Sequence, residues 1–275
     1  MQPSNDNPVL NNPYEEPRYC YDSDANGNIN YEKVISGRRP YGYDINIVPK
    51  KRGQRSVFSQ EDFSWEDPNA EFINKIREEV KKWRQAGYPK ASRITKELLD
   101  FWFNNKERRA NLRLFFCQRE AVETAVWLNE IAERDPNTGT YILNLLVERR
   151  HTVSADDDFV LPRTAFKMAT GTGKTVVMAM LILYNYLNKR ANPQDTHYAD
   201  HFLLCTPGIT IRDRLGVLQL DNSPRSSNFE RNDYYHQRGL IPAANNLKTF
   251  GRWALLEIRD IDQLESEIVK IMSYE

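Results

Sequence analysis

The 275 residues carry 38 Lys+Arg against 38 Asp+Glu, with 40% hydrophobic and 11% aromatic residues. A mean hydropathy of −0.69 and a pI near 6.9 describe an ordinary globular chain of one or two domains. They exclude a globally basic nucleic-acid coat and an acidic disordered tail, although zero net charge can still hide a local basic face. Cys20, Cys117 and Cys205 lie far apart with no CxxC pair, which predicts neither a disulfide framework nor a zinc site and leaves a reducing cytoplasm as the expected location. The opening MQPSNDNPVLNNP lacks a positive charge followed by an apolar core, so no secretory leader is expected. The longest apolar run, Thr175 to Leu187, falls short of the roughly 20 residues that span a bilayer.

Residues 1–70 are rich in Asn, Pro, Gly, Tyr and Asp, with turn signals at Asn12-Pro13, Asn26-Gly27 and Arg39-Pro40, and read as an irregular or short-stranded lead segment. Residues 71–117 read as a basic α-helical region. Phe72, Ile73, Ile76, Val80 and Trp83 recur at three- and four-residue steps, one stripe of a helix that Gly87 and Pro89 end. A second helix is predicted from about Ser92 to Trp102 and a third from Gln118 to about Glu133, stopped at Asp135-Pro136-Asn137.

Between Phe72 and Arg119 there are 13 Lys+Arg and five Asp+Glu, a net of +8 inside a neutral chain. Interleaved with Trp83, Tyr88, Phe101, Trp102, Phe103, Phe115 and Phe116, these cations suit phosphate neutralisation on a nucleic acid. On composition alone, the plainer reading, a solvated helical face over an aromatic core, is preferred.

After polar residues at Ser154 and Asp156 to Asp158, Thr164–Met168 reads as a short buried strand, followed by a glycine loop and an apolar helix from Lys174 to about Leu187. A second buried strand, Phe202–Cys205, ends at Thr206-Pro207-Gly208 and opens a helix from Ile209 to about Leu220. That alternation predicts a parallel sheet flanked by helices, an α/β fold.

The loop carries the sharpest chemistry. In Lys167–Val177, KMATGTGKTVV, Gly171 and Gly173 allow successive backbone N–H groups to face one concavity that fits an anion. Lys174 would reach β and γ phosphates, Thr175 would ligate Mg²⁺, and the helix N-terminus would add its positive end. Ala169, Thr170, Thr172 and Val176 complete the predicted nucleotide cradle. Met168 stands where the strict phosphate-loop pattern has Gly. Upstream, Gln118 has an amide able to offer donor and acceptor to an adenine edge, and is alternatively a plain helix-start residue. Downstream, Thr206, Gly208 and Arg212 bring a hydroxyl, backbone N–H groups and a guanidinium to the carboxyl end of a strand, where ligands gather, or else form an ordinary helix start with surface arginines.

FFCQREA, MATGTGKT and LLCTPGITIRDRL, in series, resemble the Q motif, motif I and motif Ia of a superfamily 2 DEAD/DEAH-type helicase. The likeness is to the restriction-associated branch, similar to the motor (Res) subunits of type III restriction enzymes; NNPYEEP, GRRP at Gly37–Pro40 and NDYYHQRGLIP at Asn232–Pro242 share it. The resemblance implies a partial RecA-like lobe over 118–243, Mg-ATP held at Gly171–Thr175, adenine read by Gln118, and duplex DNA touched by Thr206, Gly208 and Arg212. It also implies a DNA methyltransferase (modification) subunit as a partner, and ATP-driven movement on double-stranded DNA.

The chain departs from the family in two respects. No Asp-Glu dipeptide, the Walker B pair, occurs anywhere, and Asp260 and Asp262 are the nearest substitutes, in the wrong order. About 30 residues follow Pro242, against the order of 150 that a second lobe needs. The tail 244–275, expected to be helical, contains LKTFGRWALLEI, which resembles the extreme C-terminal segment of full-length relatives. The expectation is therefore a truncated or internally deleted motor, which binds ATP weakly, turns it over hardly at all and partners the missing remainder. A non-catalytic DNA-binding remnant using residues 72–119 and a small-molecule kinase are the alternatives.

Overall fold

The computed structural model describes residues 9–23, 29–41, 70–106, 108–151, 164–221, 231–242 and 255–260. The polar residues Ser154 and Asp156 to Asp158, the Asn26-Gly27 turn and Asp262 lie outside them. Strands β1 (Tyr19–Ser23) and β2 (Ile29–Ser36) pair antiparallel, with an irregularity between Tyr21 and Asp22. The described part of the lead segment, 9–23 and 29–41, thus holds two short strands.

Helix α1 (Ala70–Gln85) buries Phe72, Ile76, Val80 and Trp83, the stripe read from spacing. Helix α2 (Arg93–Leu99) starts at Ser92, whose hydroxyl accepts the Thr95 N–H, and widens into a π turn over Asp100–Asn104. That turn buries Trp102, whose Nε1–H donates to the Leu240 carbonyl at 2.7 Å. Helix α3 (Phe116–Val126) continues as a π turn to Ile131 and a tighter turn to Arg134. Helix α4 (Thr138–His151) follows the Asp135-Pro136-Asn137 turn and has no counterpart in the expectations from sequence.

Helix α5 (Lys174–Ala191) buries Val176, Val177, Ala179, Met180, Ile182, Leu183, Tyr184 and Tyr186. Being apolar on nearly every side, it is the central helix. The apolar cluster around it runs from Phe72 to Leu240, continuous across the 117/118 boundary. Deep within it Asn188 accepts from the Ser92 hydroxyl at 2.5 Å and donates to Thr95 Oγ1 at 3.0 Å, while Thr95 Oγ1 donates to the buried Glu130 at 2.8 Å. Ser92→Ala removes both the cap and the Asn188 partner, and is expected to cost about 1–2 kcal/mol in a urea melt. A loss under about 0.5 kcal/mol would mean that water replaces the hydroxyl.

Strand β3 (His201–Thr206), helix α6 (Ile209–Leu215), helix α7 (Tyr234–Gln237) and strand β4 (Leu255–Asp260) complete the described elements. β3 and β4 pair in parallel, His201 opposite Leu255 and Thr206 opposite Asp260. The chain is therefore mixed α/β.

Two expectations are corrected. Thr164–Met168 is not a strand: it has no ladder partner among the described residues, and Thr164, Ala165, Phe166 and Lys167 are exposed. A β segment is stabilised by its neighbours, and this one has none. The described part of the tail, Leu255–Asp260, is a strand rather than a helix, because β3 offers it a free edge. No helix among the described residues is long and apolar enough to cross a membrane.

Candidate nucleotide and nucleic-acid site

The glycine loop turns through two positive-φ residues, Gly171 at 77° and Gly173 at 79°, and Gly173 is the residue from which α5 departs. That backbone is natural only to glycine. No acceptor among the described residues takes the backbone N–H groups of Thr170 to Thr175, so the loop and first turn of α5 present a run of donors. Lys174 Nζ donates to the Ala169 carbonyl at 2.9 Å, and the Thr172 hydroxyl donates to the same oxygen at 2.7 Å. The lysine thus lies back across the loop. Thr175 is half-buried at the foot of the helix, and Val176 is buried in the core beneath it. Open space faces Gly171, where an added Cβ would meet nothing within 4 Å.

Gln118, 55 residues upstream, backs the loop. It is 4% exposed; its Oε1 accepts the Phe115 N–H at 2.8 Å and its Nε2 donates to the Gly173 carbonyl at 3.5 Å. The first bond closes the start of α3, as a residue three places into a helix does when it reaches back. A Cβ on Gly173 would lie 2.2 Å from that Nε2. The sequence places Gln118 ahead of the loop, and the structure brings the two into contact.

The lead segment holds α3 in place, a role the residues alone did not disclose. Arg38 forms a two-pronged ion pair with Glu120, one arm at 2.7 Å, and the Pro13 carbonyl accepts the Phe116 N–H at 2.8 Å. Burial works against the Glu120 charge, but Arg38, with Arg77 and Arg84, outweighs it and holds the carboxyl below its ordinary value. The guanidiniums of Arg38 and Arg84 lie over the Phe116 ring, 5.8 and 5.1 Å from its centroid. The one available signal was the GRRP tetrapeptide, which contains Arg38.

A second clasp joins α1 to α3. Fully buried Glu123 accepts from Arg84 Nε at 2.6 Å, Arg119 Nε at 2.7 Å and the Tyr88 hydroxyl at 2.7 Å. Burial and the neighbouring Glu123 charge push the Tyr88 hydroxyl well above its usual range, so it stays a donor.

The predicted DNA contacts are placed differently from the cradle. Thr206 is 2% exposed, its hydroxyl turned to the Gly208 carbonyl at 3.5 Å. Arg212 is paired with Asp213 at 3.0 Å. Neither presents a free group to a phosphate in this conformation. β3 carries Thr206 beside Asp260 of β4 at the carboxyl edge of the small sheet.

The basic segment divides in two. Lys81, Lys82, Arg84, Arg93 and Arg119 are engaged by carboxylates, at 2.6 to 3.0 Å for their shortest contacts. Trp83, Tyr88 and Trp102 are core residues rather than surface rings. On α1, Lys81 and Lys82 fit the solvated-face reading, while Arg84 is drawn inward to Glu123. Between Lys106 and Arg113, by contrast, Lys106, Arg108, Arg109 and Arg113 meet no carboxylate among the described residues.

No family model matches the chain, and neither the curated proteins nor the solved structures give a match. Among the described residues no group of three or more His, Cys, Asp or Glu is placed to hold a metal ion, and all three cysteines are free.

Proposed function

We propose that this chain is a Mg-ATP-binding, DNA-handling module of the restriction-associated helicase type. The observation that carries this reading is the run of unclaimed N–H groups from Thr170 to Thr175, at the positive end of an 18-residue helix, with Lys174 lying over it and Gln118 wedged behind it. The N–H groups and Lys174 would hold the phosphates, and Thr175 would ligate the Mg²⁺ that neutralises them. The partial RecA-like lobe over 118–243, the cytoplasmic location and the methyltransferase partner belong to the same proposal. With no Asp-Glu pair in the chain, Mg²⁺ and the attacking water lack their usual carboxylates, so hydrolysis near zero is expected.

Calorimetry of Mg-ATP on the full chain and on Lys174→Ala tests it. Loss of the ammonium should weaken binding roughly 100-fold, about 2.7 kcal/mol. Phosphate release should stay at background with and without duplex DNA. Equal affinity of the two proteins would end the reading, while DNA-stimulated release would make Asp260, at the carboxyl end of β4, the carboxylate to replace first. A second reading, DNA binding by the basic segment alone, is favoured by the uncompensated cations between Lys106 and Arg113. It requires affinity that falls steeply with salt and ignores nucleotide.

A further inference from the structure

A cavity of about 420 Å³ lies where the lead segment crosses the stretch between α2 and α3. Tyr14, Phe103, Phe116, Lys106, Arg108 and Arg113 are among the residues that line it. Its volume falls in the range of small-molecule sites, and both rings and cations line it.

Three of the cavity's cations, Lys106, Arg108 and Arg113, meet no carboxylate among the described residues. Arg108 is spread over three neutral acceptors, the carbonyls of Leu112 at 2.6 Å, Arg238 at 2.7 Å and Gly239 at 3.1 Å. Carbonyls orient a guanidinium without cancelling its charge, and burial pulls its pKa down to about 10. Arg113 stacks over the Tyr14 ring at 4.3 Å, and Lys106 is exposed at the rim. Neither has a carboxylate partner among the described residues. Arg119, the remaining cation of the lining, is already answered by Glu123. Among the described residues, the acids adjoining the lining in sequence are engaged elsewhere: Glu15 with Arg18 at 3.3 Å and Glu120 with Arg38.

Three unanswered cations call for an anion, and the aromatic walls call for a flat ring. A base belonging to a nucleotide whose phosphates lie at Gly171–Thr175 is uncharged and would leave Lys106, Arg108 and Arg113 as they are. The ligand must bring a phosphate of its own.

The geometry points to a second nucleotide site, independent of the glycine loop, in which Lys106, Arg108 and Arg113 hold the phosphate of a nucleoside phosphate whose base lies against Tyr14, Phe103 and Phe116. The nucleoside phosphate is either a free mononucleotide or one nucleotide of a single strand; the chemistry is the same.

The test is calorimetry on the full chain without Mg²⁺, using AMP, ribose 5-phosphate and a short oligothymidylate. The variants are Lys174→Ala and Lys106→Glu/Arg113→Glu, the latter reversing two exposed charges that no fold contact uses beyond the Arg113–Tyr14 stack. AMP should bind the parent and Lys174→Ala equally, lose on the order of tenfold or more in the charge-reversed protein, and exceed ribose 5-phosphate by about tenfold through stacking. Oligothymidylate that displaces AMP and binds more tightly identifies a strand as the source; failure to displace it identifies the free nucleotide. Three results would overturn the proposal: AMP affinity unchanged by charge reversal, ribose 5-phosphate binding as tightly as AMP, or AMP binding lost in Lys174→Ala. The last would put AMP in the glycine loop. Failure of Mg-ATP binding there would leave the cavity experiment unaffected.

Discussion

Truncation of Glu123 to alanine is expected to lower the unfolding free energy by about 3–5 kcal/mol, the cost of stranding buried cations. Glu123 is the one acceptor that Arg84, Arg119 and Tyr88 share, and Arg84 and Arg119 keep only 12% and 21% of their side-chain surface in water. Glu123→Gln retains the shape and a hydrogen-bonding group but loses the charge, and should cost about half as much. Tyr88→Phe removes two bonds, the one donated to Glu123 and the one accepted from Arg119 at 2.8 Å, and should cost about 1–2 kcal/mol. A urea series on the three variants, compared at constant slope, reads this order directly. If Glu123→Ala loses less than Tyr88→Phe, the arginines find water and the clasp is not what joins α1 to α3. Because α3 begins with the turn that carries Gln118, the alanine variant should also bind Mg-ATP more weakly than its residual folded fraction accounts for.

Gly173→Val should abolish Mg-ATP binding, with an affinity loss of more than about 100-fold, or about 2.7 kcal/mol. Two causes add. A φ of 79° costs a non-glycine residue about 1–2 kcal/mol, and a β-branched one more. The new Cβ, 2.2 Å from Gln118 Nε2, would also drive that amide from a place where Phe115 already pins its other end at 2.8 Å. The two causes separate in a cycle with Gly173→Ala and Gln118→Ala. The double variant should recover the stability lost to the clash, because the obstructing amide is gone. It should not recover binding, because the backbone strain remains and nothing braces the loop. Additive stability losses would show that Gln118 and Gly173 do not meet.

Local pattern alone determined much of this protein. The stripe Phe72–Trp83, the helical stretch from Ser92, the apolar run after Gly-Lys-Thr and the Thr206-Pro207-Gly208 stop each specify an element through groups a few residues apart, and α1, α2, α5 and β3 form where they fall. The phosphate loop was legible for the same reason: glycines, lysine and helix start lie within one turn of each other.

Tertiary structure decided what depends on partners distant in sequence. Thr164–Met168 has the composition of a strand but no neighbour to pair with, while Leu255–Asp260 becomes a strand because β3 supplies an edge. The positions of charges relative to one another were equally hidden. A net +8 said nothing of which cations Glu16, Glu123 and Glu97 would claim and which would stay unanswered around the cavity at Lys106 to Arg113. The contact of Gln118 with Gly173, and the grip of Pro13 and Arg38 on α3, close loops of tens of residues. Such closures depend on packing a shared core, which no short window of sequence contains.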